Sequence, residues 1–429
     1  MKKKNVLIFP AGTEIASEIF NALKYAKDIC LYGGTSADDH AEFIFSRLIK
    51  GFPYISEERA FVDYLNTVIE DNNIDCVYPA HDSVSVVLSK YSDEIKAQVI
   101  IADYRTTSVC RSKKATYELF AGKDFVPKTY EGVDAVESYP VFIKPSVGQG
   151  SVGAKVITDK QELLVSYDEN TVICEYLQGT EYTVDCFTDA KGTLLVTKLR
   201  TRDRTKAGIS TRSQELPLPK DVKEIADIIN NELTFKGAWF FQLKKNTKGE
   251  YKLLEISPRI PGTMGLSRNM GINFPLLTLY VFWGIDISVI DNGYDILVDR
   301  AFYNAYRIGY DYDYIYMDYD DTLTINGKVN PDVIRFLYQA RNNGKKIILL
   351  SRHDGDLHED MKKAVIPEEL FEKIIVIDRE DKKHRYIDQD KAIFIDDSFS
   401  ERRDVHDNCG IPVFDVDMIE ALLDWKDIT

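Results

Sequence analysis

Two aspartates separated by one residue follow a short apolar run in the last third of the chain. Asp318 and Asp320 end the run that starts at Tyr314, and Asp-Thr-Leu-Thr comes next. Alternate residues of a strand point to the same side, so both carboxylates face the same way. One carboxylate can attack phosphorus while the other protonates a leaving oxygen, provided that a divalent cation offsets their repulsion. The pattern therefore predicts phosphoryl-transfer chemistry.

Two further apolar runs end in polar groups. The first closes at Ser351, and the second, which starts at Ala392, closes at Asp396 and Asp397. A lysine pair, Lys382 and Lys383, lies between them. Together with Asp318 and Asp320, these groups resemble the haloacid-dehalogenase (HAD) phosphatase superfamily over about residues 312–429.

The HAD resemblance implies a role for each group. Asp318 would be the nucleophile that forms an aspartyl-phosphate, and Asp320 the general acid and base. Ser351 and a lysine, Lys383 in preference to Lys382, would hold the phosphoryl oxygens. The implied Mg²⁺ ligands are Asp318, Asp320 through its backbone carbonyl, and Asp397, with Asp396 in support.

The spacing of these groups bears on the access to the site. About 30 residues separate Asp320 from Ser351, and about as many separate Ser351 from Lys383. These intervals leave no room for a sizeable cap domain, so an open site that accepts a large phosphoester is predicted. Three histidines are expected at the surface, although the first could line the pocket beside Ser351: His353, His358 and His384.

A glycine-containing loop follows a predicted strand near residue 140. The strand carries Lys144, and the loop from Pro145 to Gly153 holds three glycines. A lysine on a strand can reach a phosphate, and glycines let backbone N–H groups close over a nucleotide. A flexible β-hairpin is the alternative interpretation of this loop by itself.

Polar groups downstream favour the nucleotide interpretation. Gln242 and Glu255 lie on two consecutive predicted strands, and side-chain oxygens on paired strands can be offered to Mg²⁺. In order along the chain, these features resemble an ATP-grasp enzyme over about residues 5–300, closest to the branch of the carbamoyl-phosphate-synthetase large subunit.

The ATP-grasp resemblance implies ATP and Mg²⁺ as cofactors, with Mn²⁺ as an alternative metal. The implied phosphate and lid contacts are Lys113, Lys144, Ser146, Gly148, Gly150 and Ser151. Glu175 and Leu177 would hold the adenine through their backbone, and Glu181 the ribose. Gln242, Glu255 and Ser257 would bind the metal, although serine replaces the usual asparagine at 257. Arg259 would stabilise the transferred phosphoryl group.

A basic stretch runs from Lys198 to Arg212. Period-2 spacing puts Lys198 to Lys206 on one strand face if that strand is unbroken. The stretch is then either a solvated edge or a binding site for an acyl phosphate or an acidic substrate. In the second case Arg200 and Arg202 are the expected contributors.

The elements that must position these groups form a multidomain chain with α/β and α+β parts. Strands alternate with helices over residues 1–108, which predicts a Rossmann-like domain that precedes the ATP-grasp domain. The ATP-grasp domain is expected at 109–305 and a capless HAD Rossmann-like domain at 311–429. A step in charge supports this last boundary, because residues 311–429 hold 17 Lys and Arg against 28 Asp and Glu.

Composition limits the partners. The formal net charge of −15 argues against nucleic acids and against anionic membranes. The apolar run behind the N-terminal lysines is too short for a signal peptide, and the scattered cysteines indicate reduced thiols, so a cytoplasmic location is predicted. The oligomeric state is left open, with a homodimer as one option.

The two resemblances together suggest a bifunctional enzyme. The ATP-grasp part would join a small-molecule carboxylate to an amine through an acyl phosphate, with release of ADP and phosphate. The HAD part would hydrolyse a related phosphorylated substrate or product. The alternative is a HAD phosphatase with a degenerate ATP-grasp domain that serves as a nucleotide-binding regulator, which Ser257 favours.

Overall fold

The computed structural model describes residues 3–148, 150, 152–206, 208–424 and 426. The chain divides into two compact units, of which the first ends at Phe302 and the second spans Tyr303–Lys426. The second unit thus begins before Asp311, where the charge step placed it. The reason is apolar packing, because Ile308 and Tyr310 lie against the core of the second unit.

The first unit opens with a five-stranded parallel sheet of order β3-β2-β1-β4-β5. Its strands are β1 Lys4–Phe9, β2 Ile29–Gly34, β3 Leu48–Ile49, β4 Cys76–Pro79 and β5 Gln98–Val99. Its helices are α1 Glu14–Leu23, α2 Glu58–Asn72, α3 Asp82–Lys90 and α4 Tyr104–Arg111. The parallel sheet agrees with the βα alternation predicted for residues 1–108.

A four-stranded antiparallel sheet of order β6-β9-β7-β8 comes next. It is built from β6 Thr129–Tyr130, β7 Val141–Pro145, β8 Lys155–Ile157 and β9 Thr171–Glu175. Two helices accompany it, α5 Lys113–Leu119 and α6 Lys160–Ser166. The Ser112 hydroxyl accepts a hydrogen bond from the Ala115 N–H and thereby caps α5.

A seven-stranded antiparallel sheet completes the first unit, in the order β12-β13-β11-β10-β14-β15 with β16 paired to β13. Its strands are β10 Glu181–Thr188, β11 Leu194–Thr201, β12 Arg204–Lys206, β13 Ile209–Leu216, β14 Gly237–Lys245, β15 Tyr251–Ser257 and β16 Leu297–Asp299. The helices are α7 Lys220–Glu232, α8 Gly265–Asn269 and α9 Phe274–Phe282. None of the helices in the described ranges combines the length and apolar character that crossing a bilayer requires.

The second unit is a parallel sheet of order β21-β20-β17-β22-β23 with a small hairpin, β18-β19. The strands are β17 Tyr314–Met317, β18 Thr324–Ile325, β19 Lys328–Val329, β20 Lys346–Ser351, β21 Lys373–Val376, β22 Ala392–Ile395 and β23 Val413–Phe414. The helices are α10 Pro331–Asn342, α11 Leu357–Lys363 and α12 Phe399–Cys409. The interiors of the central strands β17, β20 and β22 are apolar, and residues on both faces of the sheet pack in buried clusters.

Candidate functional sites

A first cavity of about 150 Å³ lies in the first unit and is lined by residues of the four-stranded and seven-stranded sheets. The predicted residues that line it are Lys113, Lys144, Gly148, Gly150, Glu175, Leu177, Glu181, Arg202, Gln242 and Glu255. Folding therefore brings together groups that are up to about 140 residues apart in the sequence.

Ser146, a predicted loop residue, is not part of this lining. The Ser146 hydroxyl lies 3.0 Å from the Ser112 hydroxyl, and the Lys113 N–H donates to the Ser146 carbonyl at 2.8 Å. Ser146 thus connects the start of the glycine loop to the N-terminus of α5, which is a structural rather than a ligand-facing position. Ser151 lies outside the described residues.

The two predicted phosphate lysines sit in different surroundings. Lys144 is buried and donates to the Tyr117 hydroxyl at 2.6 Å and to the Leu254 carbonyl at 3.3 Å. The Lys113 ammonium donates to the Gly148 carbonyl at 3.3 Å and lies 3.8 Å from the Glu255 carboxylate. Burial lowers the pKa of both lysines, since it disfavours their charged forms. The sequence analysis did not identify Tyr117, which lies on α5 and whose hydroxyl accepts the hydrogen bond from Lys144.

Gln242 and Glu255 face each other on antiparallel strands, because β14 and β15 pair these two residues directly. A carboxylate beside an amide oxygen suits a hard cation. Ser257 has another partner, because its hydroxyl donates to the Asp82 carboxylate at 2.8 Å. Gln242 and Glu255 therefore fit the predicted metal, whereas the Ser257 side chain is already engaged.

Arg259 lies just beyond the end of β15, whose last residue is Ser257. Its guanidinium donates to both carboxylate oxygens of Asp82, at 2.6 and 2.8 Å. Burial by itself would raise the pKa of Asp82, but Arg259 and Ser257 outweigh it and hold this pKa well below its usual range. Sequence reasoning missed Asp82, although its place after the apolar strand β4 was a signal that could have pointed to it.

A second cavity of about 280 Å³ adjoins this group. Asp82, Ser257, Arg259 and Arg200 line it, and Arg202 lines both cavities. The two cavities also share Lys113, Gly148, Gly150, Gly208, Gln242 and Glu255. The second cavity therefore adjoins the first at the lysine and carboxylate groups.

Residues 198–206 do not form the single basic face that an unbroken strand would give. The strand breaks, because β11 ends at Thr201 and β12 begins at Arg204. Arg200 is 2% exposed and its guanidinium pairs with Asp185 at 2.6 Å, and Lys198 pairs with Glu215 at 2.7 Å. Cross-strand carboxylates thus pair with these two cations, although Arg200 also lines the second cavity, so the stretch does not form one continuous basic face.

Arg202 retains the predicted position. Its guanidinium lies 3.4 Å from the Glu181 carboxylate and donates to the Gly208 carbonyl at 2.7 Å. Glu181 also accepts from Lys244 at 3.1 Å, so this carboxylate is shared by two cations. Burial lowers the pKa of Arg202, and the neighbouring Glu181 opposes this shift.

The second unit collects its own acidic site at the carboxyl edge of its sheet. Carboxylate oxygens of Asp318, Asp396 and Asp397 lie within 4.8 Å of one another. Strand register explains this, since Met317 on β17 pairs with Ile395 on β22 and the aspartates come next. Burial and the charge of Asp318 raise the pKa of both Asp396 and Asp397, because each disfavours further negative charge at this position. These residues fit the predicted divalent metal.

Lys383, rather than the exposed Lys382, reaches this edge. Its ammonium lies 2.9 Å from the Asp318 carboxylate and 2.6 Å from that of Asp396, and the residue is 2% exposed. The Ser351 hydroxyl, at the end of β20, is buried without a hydrogen-bond partner among the described residues. A buried hydroxyl without a partner costs free energy, so Ser351 is a group that a ligand could satisfy.

His353 is not at the surface, which corrects the expectation for this histidine. Its side chain is 7% exposed, and its ring nitrogens lie 2.8 Å from Asp320 and 3.0 Å from Asp360. Burial by itself would lower the pKa of His353, but the two carboxylates outweigh it and raise this pKa. His358 is 58% exposed, as expected.

A family model described as "ATP-grasp in the biosynthetic pathway with Ter operon" matches residues 168–297, inside the first unit. In the search of solved structures, biotin carboxylase from Campylobacter jejuni aligns with a TM-score of 0.57 at 16% identity, over 66% of this chain and 72% of that one. The first unit has the ATP-grasp fold.

Two curated proteins are similar to part of this chain. The 3-methyl-D-ornithine–L-lysine ligase of Methanosarcina mazei is 24% identical over 49% of this chain and 56% of its own length. The carbamoyl phosphate synthase large chain of Clostridium acetobutylicum is 24% identical over 41% of this chain and 18% of its own length. The chain thus spans at most about half the length of these relatives.

Proposed function

We propose that the ATP-grasp unit is an ATP-dependent ligase that joins a small-molecule carboxylate to an amine. The observation that carries this proposal is the junction of the two cavities at Lys113, Arg202 and Glu255. ATP in the first cavity would place its terminal phosphate at this junction, where a carboxylate in the second cavity can attack it. The relative named as joining 3-methyl-D-ornithine and L-lysine supports this class of reaction.

The chemistry follows from the charge at the junction. The acceptor carboxylate attacks the terminal phosphorus, ADP leaves, and the amine then displaces phosphate from the acyl phosphate. Lys144, Lys113 and Arg202 hold the phosphate oxygens, and Arg259, kept in place by Asp82, faces the acceptor. Gln242 and Glu255 would hold Mg²⁺, which neutralises phosphate charge when it is bound. Such positioned charges supply most of the catalysis in phosphoryl transfer.

The test of the ligase uses the Asp318→Asn variant, which should silence the second unit. ATP, Mg²⁺ and pooled carboxylates and amines are added, and ADP and new products are followed by mass spectrometry. ADP formation that requires both pools and is lost in Lys144→Ala supports the ligase. ATP binding without ADP release in any pool supports instead a nucleotide-binding regulator, the function that the engaged Ser257 side chain favours.

We also propose that the second unit is a magnesium-dependent phosphatase of the HAD type. Asp318, Lys383 and the partnerless Ser351 hydroxyl meet at one edge of the sheet, and this arrangement supports it. Asp318 would attack phosphorus and form an aspartyl-phosphate, while Ser351 and Lys383 hold the phosphoryl oxygens. Asp396 and Asp397 would help to hold Mg²⁺, which offsets the negative charge there.

The phosphatase is tested with p-nitrophenyl phosphate and Mg²⁺. Turnover should be abolished in Asp318→Asn and by chelation, and it should persist in Asp354→Asn, which alters an exposed ion pair with Arg379. A phosphorylated amide that accumulates in Asp318→Asn and is absent with the wild type would place both units in one reaction sequence. Identical final products from the two proteins would contradict this coupling.

A further inference from the structure

The ring of His353 is held on three sides. Its Nδ1 lies 2.8 Å from Asp320 and its Nε2 lies 3.0 Å from Asp360, on α11. The Tyr319 ring contacts the imidazole edge to face, with centroids 5.3 Å apart. Asp360 is itself bonded to Lys363 at 2.8 Å. A buried imidazole with both nitrogens bonded to carboxylates has one orientation, which it can impose on its neighbours.

Asp320 is the group that needs such support. Its side chain is 48% exposed, in contrast to the buried Asp318. An exposed carboxylate samples several rotamers, whereas a general acid must point at the leaving oxygen throughout the reaction. His353 contacts Oδ2 of Asp320, and among the described residues no hydrogen bond engages Oδ1, which can therefore handle a proton.

We propose that His353 is a positioning residue that holds Asp320 in its acid–base orientation, with Asp360 orienting the imidazole. This inference rests on the proposed phosphatase activity. In the first step the Asp318 carboxylate attacks phosphorus, the ester P–O bond breaks, and the free oxygen of Asp320 gives its proton to the leaving oxygen. In the second step water attacks phosphorus and Asp320 takes the proton from that water. The P–O bond to Asp318 breaks, which releases phosphate and restores the Asp318 carboxylate. His353 contacts neither substrate nor phosphorus.

Leaving-group dependence separates this role from a structural one. A series of aryl phosphates from p-nitrophenyl to phenyl phosphate, with an alkyl phosphate at the end, is assayed with the full-length protein and Mg²⁺. Good leaving groups need no proton in the first step, and kcat/KM reports that step without the later attack by water. The kcat/KM for p-nitrophenyl phosphate should therefore fall less than about threefold in His353→Gln. The alkyl ester should lose on the order of 10²-fold, the usual contribution of a positioned general acid.

Three further variants sharpen the test. His353→Asn puts an amide N–H near the position of Nδ1 and should restore part of the alkyl ester activity, whereas His353→Gln should not. Asp360→Asn should steepen the leaving-group dependence less than His353→Gln does. This variant tests the same proposal if the histidine variants do not fold. The control is His358→Gln, which alters an exposed histidine paired with Glu368 and should change no rate.

The outcomes are distinct. An equal loss of kcat/KM for all esters in His353→Gln would mean a structural role and would overturn this inference, although the phosphatase proposal would stand. Unchanged rates for all esters would overturn it as well. A wild-type protein that hydrolyses none of the esters would overturn the phosphatase proposal, and the role of His353 with it.

Discussion

At the scale of single residues, the buried ammonium of Lys144 leads to a pH prediction. Burial lowers its pKa in the free protein, and bound phosphates would raise it again. ATP binding should therefore take up a proton, and the affinity should fall as the pH rises from this lowered value towards the usual value of about 10.4.

Calorimetry between pH 7 and 10 in buffers of different ionisation enthalpy measures both the affinity and the proton uptake. Burial also lowers the pKa of Lys113, so this lysine should add to the proton uptake on ATP binding. Lys144→Arg keeps its charge at every pH and should flatten the profile. An ATP affinity that does not change up to pH 10 would contradict this assignment of Lys144.

Asp82 carries the second prediction at this scale. It holds Arg259 through two hydrogen bonds and contacts Ser257, and it lines only the second cavity. Asp82→Ala should therefore lower ADP formation on the order of 10²-fold through a misplaced Arg259. The Kd for ATP should change by less than about threefold, since Asp82 is not part of the first cavity. A parallel loss of ATP binding would refute this division of roles.

At the scale of elements, the glycine loop and the loop before β13 approach each other closely. A Cβ atom on Gly208 would lie 2.8 Å from the backbone of Gly150, and both residues line the two cavities. Gly208→Ala should separate the loops and weaken ATP binding by roughly tenfold, or about 1.4 kcal/mol.

Gly192→Ala is the matched control for this substitution. Gly192 has a φ of +83°, close to the +76° of Gly208, and a Cβ there would meet nothing within 4 Å. Both variants carry the strain of a positive φ, about 1–2 kcal/mol, so their melting temperatures should fall to a similar extent. Only Gly208→Ala should lose ATP affinity by calorimetry, and an equal loss in both would exclude the loop contact as the cause.

At the scale of the whole molecule, each unit contains its own set of functional groups. Lys144→Ala should abolish ATP binding and leave the hydrolysis of p-nitrophenyl phosphate within about twofold of the wild type. Asp318→Asn should do the reverse, because the described residues that line the two cavities belong to the first unit and the three clustered aspartates belong to the second. Loss of both activities in either variant would show that the two sites depend on each other.

Many of the strands could be predicted because they follow from local patterns of apolar and polar residues. The apolar runs that end at Asp318, Ser351 and Asp396 predicted parallel strands, and parallel strands bring their carboxyl ends to one edge. The alternation around Gln242 and Glu255 likewise predicted the strands that the structure pairs directly. The boundary after Phe302 could not be predicted from the step in charge, because charge does not indicate that Ile308 and Tyr310 pack against the core of the second unit.

The sequence by itself predicted most of the strands, the order of the reactive groups and two separate groups of candidate site residues. Only the tertiary structure decided which charges face a cavity and which are neutralised by a neighbour. Asp185 on β10 pairs with Arg200 beside the second cavity, Asp82 engages Ser257 and Arg259, and Asp320 and Asp360 hold the His353 ring. The reason is physical, because a charge is satisfied by whichever partner lies within a few ångströms, and that partner can come from anywhere in the chain.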